Sequence, residues 1–260
     1  MKERSSASLR MMLRALKLPS VAEQHEEVAA QAEQGGWTFP CYLSTLCERE
    51  IEDRKRRKVE RRLKESNLPV SKTLGTLEAD KLPLAVRRQL PGLCEGGFVE
   101  RAENVLVFGL PGRGKSHVVC AIGHELTQRG YRVLFQPTFR LVQRLLVAKR
   151  DLLFERELRR LDSFDALILD DIGYVQQDRE EMEVLFTFLA ERYERRSVLI
   201  TSNLVFSEWD KIFKDPMTTA AAIDRVVHHS VILELTGESY RAQTARNEAR
   251  ARKDQKQEEP

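Results

Sequence analysis

The chain has 260 residues, of which 42% are hydrophobic and 32% charged, and its net charge is +3. This length and apolar content suit one core domain of about 150 residues plus a smaller unit, while the small net charge excludes binding to nucleic acid by bulk charge and leaves only local clusters to argue from. No apolar run approaches the roughly 18 residues of a membrane span, and no signal peptide is evident, so a cytoplasmic chain without membrane contact is expected. Four cysteines, Cys41, Cys47, Cys94 and Cys120, lack CxxC spacing and read as reduced structural thiols.

Residues 1–68 read as a helical domain. Ser20 with Glu23 resembles a capping box opening a helix that stops at Gly35-Gly36. A second helix is expected from about residue 38 to Ser66, with a thin apolar stripe of Leu43, Leu46, Cys47, Ile51, Val59 and Leu63. Its stretch 48–64 holds nine Lys/Arg against five Asp/Glu, including an unbroken basic run from Arg54 to Lys58. Such a stretch is either a phosphate-contacting surface or a solvated charged helix. Pro69 ends the helix because it disfavours helical geometry at the preceding residue. Residues 69–103, with Pro69, Pro83, Pro91 and Gly96-Gly97, read as a connector carrying one or two short helices.

From Asn104 the pattern alternates between strand and helix. Strands are expected at 104–108, 131–136, 166–170, 198–202 and 231–235, each short and rich in branched aliphatics. Helices are expected at 118–129, 139–149 and 180–193. This predicts an α/β domain over 104–241, a doubly wound parallel five-stranded sheet. The polar residues 242–260 are expected to be a charged tail.

The strand at 104–108 runs into Gly109-Leu110-Pro111-Gly112-Arg113-Gly114-Lys115-Ser116, followed by His117. This is the phosphate-loop pattern G-x-x-x-x-G-K-[ST], set between a strand and a helix as the pattern requires. Its backbone N–H groups cradle phosphates, Lys115 reaches the β/γ oxygens, and the Ser116 hydroxyl takes a place on Mg²⁺. The strand at 166–170 ends in Asp170-Asp171. Asp170 is expected to hold Mg²⁺ and Asp171 to orient the attacking water. One further strand fits between the two motifs, which marks the phosphate-loop ATPases that activate water with a carboxylate beside the metal ligand. Asn203 ends the strand at 198–202. If that strand lies between the first and third, Asn203 sits near the γ-phosphate; otherwise it is a turn asparagine. By spacing alone, Arg225 and Arg241 are ordinary surface arginines.

Together these residues resemble the IstB-like transposition helper ATPases of the AAA+ superfamily, close to DnaC-type helicase loaders. The marks are Arg62-Leu63-Lys64-Glu65-Ser66-Asn67-Leu68-Pro69 with Lys72-Thr73-Leu74, the loop ending in Ser116-His117, and Asp170-Asp171-Ile172-Gly173-Tyr174. They continue with Glu191-Arg192-Tyr193-Glu194, Thr201-Ser202-Asn203 with Trp209, Asp224-Arg225 with His228, and Ser239-Tyr240-Arg241. The resemblance implies an AAA+ ATPase with little or no C-terminal lid that binds ATP and Mg²⁺ between the subunits of a homo-oligomer. It would assemble on duplex DNA without sequence preference and assist a partner transposase in transposition. Asn203 would be the first sensor, Arg225 the arginine finger and Arg241 the second sensor. Arg113 stands where a small residue is common, Ser116 replaces the commoner Thr, and Asp171 stands where many members have Glu. The shorter carboxylate reaches less far, so hydrolysis is expected to be slow. Further basic clusters lie at 138–160 and 241–256. The alternative reading is a replicative helicase loader that works on single-stranded DNA with the same ATPase core.

Overall fold

A computed structural model describes residues 6–174, 179–209 and 216–236. They divide into two compact units, with the boundary between Arg61 and Arg62.

The first unit contains α1 (Ser6–Ala15), α2 (Pro19–Gly35) and most of α3 (Phe39–Ser66). Val21, Val28 and Leu46 form its small buried core, with Leu13, Leu18 and Tyr42 packed around them. The α2 helix does not open on a Ser20–Glu23 capping box. It starts at Pro19, whose fixed φ and missing N–H suit a first helical position, and Leu18 at the N-cap supplies no side-chain bond. The acceptor comes instead from α3: Glu50 Oε2 accepts the backbone N–H groups of Ser20 at 2.9 Å and Val21 at 3.3 Å. At the other end, Gly36 adopts φ 63°, and the helix closes with the Gly36 N–H donating to the Glu33 carbonyl and the Trp37 N–H to the Ala32 carbonyl, the left-handed cap that glycine provides most cheaply.

The second unit is a parallel sheet of β1 (Asn104–Phe108), β2 (Val133–Pro137), β3 (Ala166–Asp170), β4 (Ser197–Ser202) and β5 (Ser230–Glu234). The spatial order is β2-β3-β4-β1-β5, with every adjacent pair parallel. Alternation of side chains along each strand feeds two cores. Leu106, Phe108, Leu167, Leu169, Val198 and Ile200 point to one face. They pack there with α7 (Thr138–Arg150), α8 (Phe154–Asp162), α9 (Arg179–Arg192) and α10 (Pro216–Val227). Val105, Val107, Ala166, Ile168 and Leu199 point to the other. That face is covered by α4 (Leu84–Glu95), α5 (Gly97–Glu100) and α6 (Lys115–Gln128). Burial on both faces explains why the strands carry continuous aliphatic runs rather than a polar alternation. Residues expected as a connector thus contribute Leu82, Val86, Leu90, Leu93 and Phe98 to the core.

Arg192 fastens the end of α9 to the sheet. It is 3% exposed and donates to the carbonyls of Leu161, Phe164 and Ser197 at 3.0–3.1 Å. Arg241 and the tail at 242–260, and with them the expectation of a missing lid, lie outside the described residues.

Candidate functional site

The site lies at the C-terminal ends of β1, β3 and β4, where an open parallel sheet presents its loops to a ligand. Because β4 runs between β3 and β1, the ends of all three strands meet at the phosphate loop. This is the strand placement on which the position of Asn203 depended.

The loop is shaped by its glycines. Gly112 and Gly114 adopt φ 80° and 84°, a region that costs other residues about 1 kcal/mol or more. A Cβ at Gly109 would come within 2.6 Å of the Leu235 carbonyl oxygen, so only glycine lets the loop pass the end of β5. Gly114 is the N-cap of α6. The helix therefore begins at Lys115, three residues before the expected start, and its first turn and positive dipole end face the loop. Lys115 is 6% exposed, and its Nζ donates to the carbonyls of Gly109 at 2.7 Å and Leu110 at 3.2 Å. The ammonium is thus held over the loop, where it can exchange carbonyl contacts for phosphate oxygens.

Behind the loop one hydroxyl holds the Asp170 carboxylate and the Asp171 backbone. Thr201 Oγ1 donates to Asp170 Oδ1 at 2.7 Å and accepts the Asp171 N–H at 2.8 Å. Thr138 Oγ1 donates to the Asp170 carbonyl at 3.0 Å. Asp171 takes φ 58°, which turns the chain sharply as it leaves β3. Asn203 follows β4, and its Oδ1 is buried without a hydrogen-bond partner. The next turn is close: a Cβ on Gly173 would meet that oxygen at 2.3 Å.

These groups line one cavity of about 510 Å³, within the range of small-ligand sites. Pro111, Gly112, Arg113, Gly114, Lys115, Ser116, His117, Asp171 and Asn203 border it. Gly109 and Leu110 act through their carbonyls on Lys115, and Asp170 sits at the end of β3 behind the lining residues. Arg225 is not part of the lining. It lies on α10 with its guanidinium 4.7 Å from the Phe186 ring centroid and one terminal nitrogen buried without a partner. The described residues thus join the loop, Asp171 and Asn203, and leave Arg225 apart.

Sequence reasoning missed the opposite wall. Lys72, Thr76, Glu78, Lys81 and Pro83 close the cavity from the stretch before α4. His117 ties this wall to the loop: its Nε2 lies 3.1 Å from both Thr76 Oγ1 and the Thr73 carbonyl. Thr201 and Thr138 were also missed, since pairing across strands leaves no mark in sequence spacing. On the buried side of α6, burial pushes the Cys120 thiol up to about 12, which keeps it neutral beside the site.

Serine and aspartate oxygens are the hard donors that Mg²⁺ prefers. Ser116 lines the cavity and Thr201 steadies one Asp170 oxygen, so the residues present fit that ion.

Residues 11–248 match the family described as IstB-like ATP binding protein. An insertion sequence ATP-binding protein of Sinorhizobium fredii is 44% identical over 247 residues, 95% of this chain and 83% of the relative. The insertion sequence IS21 ATP-binding protein of Pseudomonas aeruginosa is 37% identical, covering 92% of this chain and 90% of its own length. Among solved structures, DnaI aligns with a TM-score of 0.55 at 20% identity over 66% of this chain and 96% of that one. The DnaC helicase loader aligns with a TM-score of 0.51 at 16% identity over 58% and 89%. The last two share the AAA+ fold with this chain, and the length and identity of the first matches settle its kinship: the chain belongs to the IstB-like ATP-binding protein family.

Proposed function

We propose that this protein is an ATPase that assembles on duplex DNA and assists a partner transposase. The observation that carries the reading is the convergence of Lys115, Ser116, Asp171 and Asn203 on one cavity at the ends of β1, β3 and β4. The kinship with insertion-sequence ATP-binding proteins supplies the context.

In this reading the loop N–H groups and Lys115 bind the triphosphate and hold it in register. Ser116 and Asp170 would hold Mg²⁺, which when bound neutralises charge on the phosphate oxygens. Asp171 orients the attacking water and accepts its proton. Asn203, with an unpartnered Oδ1, gives that water a second anchor. Arg225 lies outside the cavity of its own chain, which suits a residue that serves a neighbour's nucleotide, and Arg241 would act as the second sensor. Phosphate contacts by Lys/Arg clusters would grip DNA without sequence preference, with α3 and the tail as the candidate surfaces.

Steady-state ATP hydrolysis with and without duplex DNA tests the enzyme. Asp171→Asn should keep ATP affinity and lose turnover by about 100-fold or more. A wild-type chain that binds ATP but never turns it over on DNA would make it a nucleotide-sensing switch instead. DNA stimulation confined to single strands would favour the loader.

A further inference from the structure

Two marks in the sequence, Tyr193-Glu194 and His228, have no part in the nucleotide cavity. The structure brings them together at the opposite end of the sheet. Glu194 lies in the turn between α9 and β4, and His228-His229 in the turn between α10 and β5. Because β4 and β5 flank β1, the two turns meet where β1 begins, and the Asn104 N–H donates to the His229 carbonyl at 2.7 Å.

We propose that Glu194, His228 and His229 form a binding site for a borderline divalent metal ion of the zinc class. One ligand atom from each of the three lies within 4.8 Å of the others, and His229 Nε2 is 3.7 Å from Glu194 Oε1. Donors around a tetrahedral zinc at its usual bond lengths stand about 3.4 Å apart, so small side-chain rotations complete the set. Two imidazoles and a carboxylate match zinc rather than magnesium or calcium, which take all-oxygen shells. The Tyr193 hydroxyl lies 2.9 Å from His228 Nδ1. When that nitrogen donates to the phenol oxygen, the lone pair stands on Nε2 and the ring is fixed in orientation, as outer partners of metal-bound histidines do.

Two further facts favour a ligand over a chance surface cluster. Glu194 adopts φ 56°, a position after a helix where glycine or asparagine is the usual occupant, so glutamate there is not explained by the backbone. The side chains of Glu194 and His229 are 57% and 50% exposed, so an ion can reach them and a fourth position stays open to water or another chain. Occupancy would fasten the end of α10, three residues beyond Arg225, to the turn that leaves α9.

The test uses the full chain, stripped of metal and free of nucleotide, in a Cys41→Ser/Cys47→Ser background that removes the two exposed thiols. Calorimetric titration with Zn²⁺ should show one tight equivalent. Co²⁺ should give tetrahedral absorption bands without a thiolate charge-transfer band. His228→Ala with His229→Ala should weaken zinc at least 100-fold, and Tyr193→Phe about 10-fold. Should the double variant fail to fold, Glu194→Gln on its exposed turn should abolish the zinc-induced rise in Tm seen in the parent. No zinc equivalent in the folded parent, or zinc binding unchanged by Glu194→Gln and by the histidine variants, overturns the site.

Discussion

Thr201 donates its hydroxyl to Asp170 Oδ1 at 2.7 Å, and the same oxygen accepts the N–H of the next residue, Asp171, at 2.8 Å. One side chain on β4 therefore fixes the Asp170 carboxylate and the backbone from which the Asp171 carboxylate projects. Thr201→Val keeps the shape but removes the acceptor of a half-buried N–H and the donor to Asp170, at a cost of about 1 kcal/mol. Turnover should fall about 10- to 100-fold through misplacement of the carboxylates, with ATP affinity little changed. Thr201→Ser, which retains the hydroxyl, should restore most of the rate. Steady-state kinetics on the pair, with thermal melts alongside, checks both parts.

The thiols should divide by burial. Cys94 and Cys120 are buried and Cys41 and Cys47 exposed. Burial pushes the Cys94 thiol up to about 11 and that of Cys120 to about 12, so neither has appreciable thiolate near pH 8. Alkylation of the native chain at that pH should mark Cys41 and Cys47 alone, and all four only in denaturant. Mass spectrometry of the digested protein reads the result; rapid native labelling of Cys120 would contradict the packing of α6 against the sheet.

The first unit should be acid-sensitive through one residue. Burial alone would raise the Glu50 pKa, but its bonds with Arg54 and with the Val21 and Ser20 N–H groups hold it below the ordinary 4.5. A carboxyl depressed by folding stabilises the fold above its unfolded value, and that contribution is lost as pH falls through the folded one. Amide exchange over α2 should accordingly accelerate as pH drops below about 4.5, after correction for the intrinsic rate. Glu50→Gln should raise α2 exchange at neutral pH and remove this acid step. An α2 equally protected in both proteins would show that Glu50 does not anchor the helix.

The parts of the fold legible in sequence are those governed by local rules. β1 and β3 are found at the residues expected, because buried parallel strands demand unbroken aliphatics and a ligand loop demands glycines. The start of α2 was misplaced because a local pattern, Ser20 with Glu23, competed with Pro19 and with an acceptor 30 residues away in Glu50. The α8 helix escaped notice since only Leu158 and Leu161 of its nine residues are buried. Half of the candidate site was legible: the loop and the carboxylates stand out by their spacing, while Asn203 joined them only through the strand order. Thr201 and the wall from Lys72 to Pro83 do not, because their roles arise from strand order and from packing against the loop.

In the proposed function, ATP in this cavity drives assembly on duplex DNA. Sedimentation of the chain with duplex and single-stranded DNA of equal length, in ATP or ADP, tests it most directly. A large complex is expected only with ATP and duplex, lost in Lys115→Ala and in Arg225→Ala, the latter still binding nucleotide. Complexes of the same size with ADP, or undiminished by Lys115→Ala, would contradict it.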